Sequence, residues 1–171
     1  VKPIARRSPF EHQPSTVKIV WMPIGAVMLA SMLPIMPVIA TAPLMPPLGF
    51  MMFISWRLLH REIWHPWAGA ALGLYDDFWS GHHIGTAMLL WSVAQFGVAL
   101  MDRRMLWRDY WQDWMLAAFG LVGYLSLALL IDNKLGGQTL WIMIVPQVLV
   151  AILLQPYVIR MTGYIDVWRF R

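Results

Sequence analysis

"GLYDDFWSGHHIG", Gly73 to Gly85, sets two adjacent carboxylates and two adjacent histidines in a chain that is otherwise mostly Leu, Met, Ala, Trp and Val. It closes the apolar segment Pro66 to Ser80, and that segment decides the fold. If it crosses a bilayer the chain has six spans, and if it does not, five. The surroundings point to lipid. Of 171 residues 59% are hydrophobic and 13% charged, whereas soluble domains carry about 25% charged residues. Eleven Trp and thirteen Met strengthen the bias. The length suits one domain. With no Cys, the chain has no disulfide framework, thiolate metal site or Cys nucleophile.

A hydrocarbon core of roughly 30 Å needs about 20 apolar residues per helix. Six segments approach that length: Ile19 to Ala40, Pro43 to Leu59, Pro66 to Ser80, Ile84 to Met101, Trp114 to Ile131 and Leu140 to Ile159. The second and third are short, and the third contains Asp76 and Asp77.

The basic residues choose between the two counts. Lys2, Arg6, Arg7 and Lys18 precede the first segment, and Arg57 and Arg61 follow the second. Arg103, Arg104 and Arg108 lie between the fourth and fifth, and Arg160, Arg169 and Arg171 end the chain. Of thirteen basic residues only Lys134 falls in another loop. Short loops rich in Lys and Arg stay cytoplasmic. Six spans place all four basic regions on one side, and five would split them. The expected fold is therefore an all-α integral membrane protein, a six-transmembrane-helix bundle with both termini cytoplasmic. Its expected parts are a basic tail at 1–18, a membrane domain at 19–160 and a C-terminal tail at 161–171.

The basic start followed by an apolar run and "ATA" at Ala40–Ala42 has the look of a signal peptide. The apolar run is too long for a secretory core of roughly 7–15 residues, and Pro43 would follow the cut, so no cleavage is expected. Nucleic acid is not an expected partner, because membrane orientation and anionic lipid account for the basic tail. Trp64, Trp67, Trp79, Trp107, Tyr110, Trp111, Trp114 and Trp141 sit where spans should meet the headgroups and read as an aromatic belt. "RRMLWRDYWQDW" reads as an amphipathic helix on the inner surface. Arg103, Arg104 and Arg108 are candidate contacts for a partner or for lipid.

Within the opening stretch and just before it, Gly69, Gly73, Asp77 and Gly81 recur every four residues, forming one slowly drifting helical stripe. Small residues on a membrane helix admit a close neighbour. Asp77 therefore faces protein, and Asp76 points about 100° away. Gly81 to Gly85 read as a tight turn into the fourth segment, whose first N–H groups lack partners and favour negative charge. Three roles stay open for Asp77: bonding the N–H groups near Gly85 and Thr86, a proton or substrate site, or a zinc site with His82 and His83. The D-D-x4-H-H spacing is not a metal signature, and no metal or cofactor is expected. Gln95, Gln147, Gln155, Ser92 and Ser126 read as inter-helix glue, and Pro34, Pro37, Pro146 and Pro156 as kinks. There is no phosphate loop, nucleophile elbow or paired catalytic motif, so no enzyme is expected.

The four-residue spacing continues past the helix to Gly85. The resulting pattern G-x3-D-x3-G-x3-G at Gly73, Asp77, Gly81 and Gly85 resembles the rod shape-determining protein MreD family, as does the proline-led "PPLGFMMFISWRLLH" at Pro46 to His60. Asp76, His82 and His83 depart from the pattern. The resemblance implies a non-enzymatic inner-membrane component of the rod-elongation, cell-wall-synthesising machinery. Its implied partners are MreC and through it MreB, together with RodA and a class B penicillin-binding transpeptidase. It also implies a fold similar to the substrate-binding subunits of energy-coupling-factor transporters. The alternative function is therefore a vitamin-type substrate-binding membrane subunit.

Overall fold

The computed structural model describes residues 16–33, 45–81, 83–104 and 109–169. Six α-helices follow in order: α1 Thr16–Met32, α2 Leu48–Leu59, α3 Ala68–Ser80, α4 Thr86–Arg104, α5 Tyr110–Lys134 and α6 Val145–Arg169, the last preceded by a 3-10 turn at Trp141–Ile144. Among the described residues there is no strand. Two stretches, Tyr110–Lys134 and Trp141–Trp168, are long and apolar enough to cross a membrane.

The outer surface is apolar. Phe119 and Tyr164 are each 79% exposed, and Ile142, Leu153 and Trp168 are exposed with them. Soluble monomers rarely expose contiguous apolar patches beyond a few hundred Å², whereas lipid solvates such side chains at no cost. α6 shows this most clearly, since Leu149, Leu153, Tyr157 and Tyr164 all point outward.

α2 has a different place. Its residues Gly49 to Leu58 are all buried, and it packs against α1, α4, α5 and α6. A helix that is apolar all round can face lipid or be surrounded by protein, and this one is surrounded. At about 1.5 Å per residue its twelve residues rise roughly 18 Å, well short of a hydrocarbon core of about 30 Å. Its aromatic side chains build the core. Phe50 stacks on Tyr124 with centroids 4.5 Å apart, and Phe53 lies 5.2 Å from Trp64 and 5.0 Å from Trp91. Trp64 is thus a core residue and not part of an aromatic belt: it is buried, and its Nε1 donates to the Phe53 carbonyl at 3.1 Å. Trp67, Trp79, Trp111 and Trp141 are exposed, and Trp107 lies outside the described residues.

Proline acts differently at each position. Pro23 and Pro156 lie inside helices. Pro146 sits in the first turn of α6, where its missing N–H leaves no bond unmade, so a kink is not required there. α1 ends at Met32, and Pro34 and Pro37 lie outside the described residues. α6 runs on to Arg169, so most of the stretch assigned to a C-terminal tail is helical.

Polar side chains tie the bundle together. Gln147 Nε2 donates to the Met45 carbonyl at 2.7 Å, fixing the start of α6 to the entry of α2. Gln155 Nε2 donates to Ser55 Oγ at 3.1 Å, and that hydroxyl donates to the Met51 carbonyl. Ser92 joins no helices, because its hydroxyl bonds the Met88 carbonyl of its own helix.

At the end of the bundle where α2 stops, Arg57 Nη2 lies 2.8 Å from Asp102 Oδ2 of α4, the two side chains only 7% and 10% exposed. His60 Nε2 lies 2.9 Å from Asp166 Oδ2 of α6. In the sequence Arg57 is only a topology charge, yet in the fold it forms a buried ion pair. Removing one partner of such a pair strands a charge and costs about 3–5 kcal/mol, whereas replacing both with apolar groups is often near neutral. We therefore expect Arg57→Met to destabilise the detergent-solubilised protein strongly, and Arg57→Met with Asp102→Leu to recover much of the loss. Thermal unfolding of both variants checks this. A double variant no better than the single one would show that the pair contributes through packing alone.

Candidate functional site: the joint between α3 and α4

α3 and α4 run antiparallel across the turn at residues 81–85 and pack more extensively than any other helix pair. Glycine makes the approach close. A Cβ on Gly73 would lie 2.6 Å from the Ala87 carbonyl oxygen and 2.8 Å from Met88 Cα. A Cβ on Gly69 would lie 2.7 Å from Gln95 Oε1 and 3.0 Å from the Trp91 carbonyl oxygen. The backbone of α4 therefore occupies the space that a side chain on either glycine would need. Gly81 ends α3 in the left-handed region at φ 71°, and Gly85 enters α4 at φ 100°. An L-residue with a Cβ is strained at such angles.

Across this contact each helix satisfies the other's free N–H groups. Asp77, 3% exposed near the end of α3, accepts from Gly85 N at 2.8 Å and Met88 N at 3.2 Å through Oδ2, and from Ala87 N at 2.8 Å through Oδ1. These donors belong to the first turn of α4, where backbone N–H groups have no partner inside the helix and the dipole favours an anion. In the other direction, Gln95 of α4 accepts from Gly69 N at 2.8 Å and donates to the His65 carbonyl at 2.8 Å. α3 has no side-chain cap of its own at Trp67. Gln95, 26 residues beyond Gly69, does that work.

Asp76 faces elsewhere. It is 7% exposed and lies against α1 and α2, where a Cβ on Gly49 would meet both Ser31 Oγ and Asp76 Oδ1. Adjacent carboxylates thus serve opposite sides of α3, Asp77 toward α4 and Asp76 toward α1 and α2. The sequence signal was the turn of about 100° between neighbouring helical residues, but the identity of Asp76's neighbours was not readable from it.

The residues that a metal would require are divided. Both oxygens of Asp77 are held by three N–H donors. His83 points to Asp132 at the end of α5, with Nε2 3.6 Å from Oδ1. His82 lies outside the described residues. Among the described residues no three His, Asp or Glu side chains converge as a metal site would need. Of the three arginines singled out as contacts, Arg103 is exposed on the last turn of α4 and Arg104 ends that helix. Arg108 lies outside the described residues.

Fold and site together define an all-helical membrane protein whose mid-chain carboxylate joins two helices. Comparison with known families makes the assignment specific: residues 14–165 match the family of the rod shape-determining protein MreD. The chain belongs to that family. No curated protein and no solved structure matches it.

Proposed function

We propose that this chain is a non-enzymatic scaffold of the rod-elongation machinery in the bacterial inner membrane. It meets its partners through lateral, lipid-depth surfaces. Membership of a rod shape-determining family supports the process. The single observation that supports the scaffold role is how the mid-chain polar groups are engaged. Asp77 and Gln95 bond helix ends across the α3–α4 joint, and Gln147 and Gln155 tie α6 to α2 and its entry. Those groups hold helices in register instead of converging on a reactant. The partners in this reading are MreC and through it MreB, with RodA and a class B penicillin-binding transpeptidase in the same assembly. The motif Gly69, Gly73, Asp77, Gly81 and Gly85 acts in it as a structural joint.

Depleting the protein in a rod-shaped host should give rounded cells with disordered wall insertion and normal nutrient uptake. Cells that stay rod-shaped but lose uptake of one small molecule would replace the scaffold with the transporter-subunit alternative.

The topology in this proposal has six spans and both termini in the cytoplasm, which the one-sided distribution of Lys and Arg supports. Reporter fusions should then place the Asn133–Gly137 loop outside and the Arg103–Arg108 loop inside. Finding both loops on one face would refute it.

A further inference from the structure

α6 carries one charge that nothing in the bundle answers. From Trp141 to Ile159 the chain has no charged residue, and Arg160 is the first. Arg160 is exposed, and its side chain forms no ion pair or hydrogen bond with another described residue. The next charge on the helix, Asp166, lies about 120° round it from Arg160 and sits 2.9 Å from His60. A guanidinium does not lose its proton in a protein, so Arg160 needs an anion or water from outside the chain.

Depth decides which anion is within reach. Trp141 is exposed and opens the stretch that is long and apolar enough to cross a membrane. From Trp141 the 3-10 turn leads to Val145, and α6 leads on to Arg160. At about 2.0 Å per residue in the turn and about 1.5 Å in the helix, the rise is roughly 30 Å, equal to a hydrocarbon core of about 30 Å. With Trp141 at one headgroup level, Arg160 reaches the other, where the abundant anion is the lipid phosphate.

The local shape suits a headgroup. A cavity of about 150 Å³ opens at the surface of α6, lined by Pro156, Tyr157 and Arg160. At about 30 Å³ per water it has room for a phosphate group and some of its hydration. A helix about 10–12 Å across would not enter it. Tyr157 and Tyr164 stand three residues before and four after Arg160, on the same helical face, and both are exposed. Their hydroxyls can donate to phosphate oxygens while the rings stay among the acyl chains. Gln155, Val158 and Thr162, on the other side of the same turns, are buried against the bundle, so the Tyr–Arg–Tyr face looks away from the protein.

We propose that Arg160, flanked by the Tyr157 and Tyr164 hydroxyls, binds the phosphate of a membrane phospholipid from the leaflet at the Arg169 end of α6. The lipid supplies the counter-charge that the bundle lacks and fixes the depth of α6. The proposal needs α6 to cross the membrane, but neither the six-span count nor the scaffold role.

Delipidated full-length protein in detergent, read by native mass spectrometry, tests this with three probes. They are dioleoylphosphatidylglycerol, dioleoylglycerol, which has the same chains and no phosphate, and inorganic phosphate. Phosphatidylglycerol should be retained in preference to both others. Arg160→Gln should weaken its binding about fivefold, the worth of one basic residue at an anionic surface, while dioleoylglycerol binding is unchanged. Arg160→Lys keeps the charge and should keep most of the affinity. Because Arg160 is exposed, thermal unfolding of Arg160→Gln without lipid should match the parent protein. Equal phosphatidylglycerol binding by the parent and Arg160→Gln would overturn the proposal. So would phosphatidylglycerol held no better than dioleoylglycerol, or inorganic phosphate held as tightly as the lipid. A Tyr157→Cys protein that cross-links in membranes to a second protein would overturn it too, because Arg160 would then face a partner's carboxylate. Lipid retention is read on the isolated chain, so it can fail while the depletion phenotype stands.

Discussion

Asp77→Leu should leave little folded protein in the membrane. The carboxylate accepts three backbone N–H groups of the first turn of α4, and leucine accepts none. A buried polar group left without its partner costs about 1–3 kcal/mol, and losing an anion at a helix N-terminus adds about 0.3–2 kcal/mol. Three stranded donors and the lost charge together approach the 5–15 kcal/mol by which a typical domain is stable. Asp77→Asn should be milder. The amide oxygen still accepts from Ala87 N or from the Gly85 and Met88 pair, but the amide nitrogen then faces a donor. Asp76→Asn should be milder than either change, because Asp76 receives none of these bonds and lies against Ser31 and Gly49. Abundance of tagged variants in membranes, followed by thermal unfolding of those that accumulate, gives the ranking. Equal losses for Asp77→Asn and Asp77→Leu would mean that the negative charge itself is required, and the proton or substrate reading of Asp77 would return.

The order of the elements could be read from hydropathy, because lipid-facing helices must be apolar over a fixed length: each described helix overlaps one predicted segment, α2 and α3 falling inside theirs while α1, α4, α5 and α6 extend past theirs. The place of α2 could not. A helix apolar all round reads the same whether lipid or four neighbours surround it, and only the packing of Phe50 and Phe53 on Trp91, Trp64 and Tyr124 distinguishes the two. The direction in which Asp77 faces was legible because its partners begin only eight residues away, across a turn that Gly81 and Gly85 announce. The reciprocal bond, from the Gly69 N–H to the Gln95 side-chain oxygen, spans 26 residues. Nothing local marks that glutamine as a cap. Arg57 and Asp102 were hidden for a related reason. In a membrane sequence a basic residue at a span's end already has a sufficient explanation in topology, so its buried partner on α4 leaves no further trace.

Gly73→Ala tests whether the glycine stripe acts through close approach or only through flexibility, and the two mechanisms give opposite signs. Alanine is favoured over glycine inside a helix by about 0.8–1.0 kcal/mol, so a glycine kept merely for flexibility should be stabilised by the change. At Gly73 the added methyl would stand 2.6 Å from the Ala87 carbonyl oxygen and 2.8 Å from Met88 Cα. Both atoms belong to the backbone of α4 and cannot rotate away. α4 must then move off α3, and a small displacement lengthens all three bonds to Asp77. Overpacking costs about 1–3 kcal/mol by itself, and the weakened bonds add to it, so after alanine's helix-propensity gain is subtracted the expected result is a net loss of at least about 1 kcal/mol. Gly69→Ala should cost less, since its nearest obstacle is the Gln95 side-chain oxygen, although the Trp91 carbonyl stands behind it. Gly97→Ala and Gly120→Ala, in open space, should be neutral or stabilising. Thermal unfolding in detergent orders the four variants. A Gly73→Ala protein as stable as Gly97→Ala would mean that α3 and α4 do not meet backbone to backbone, and the joint through Asp77 would need another geometry.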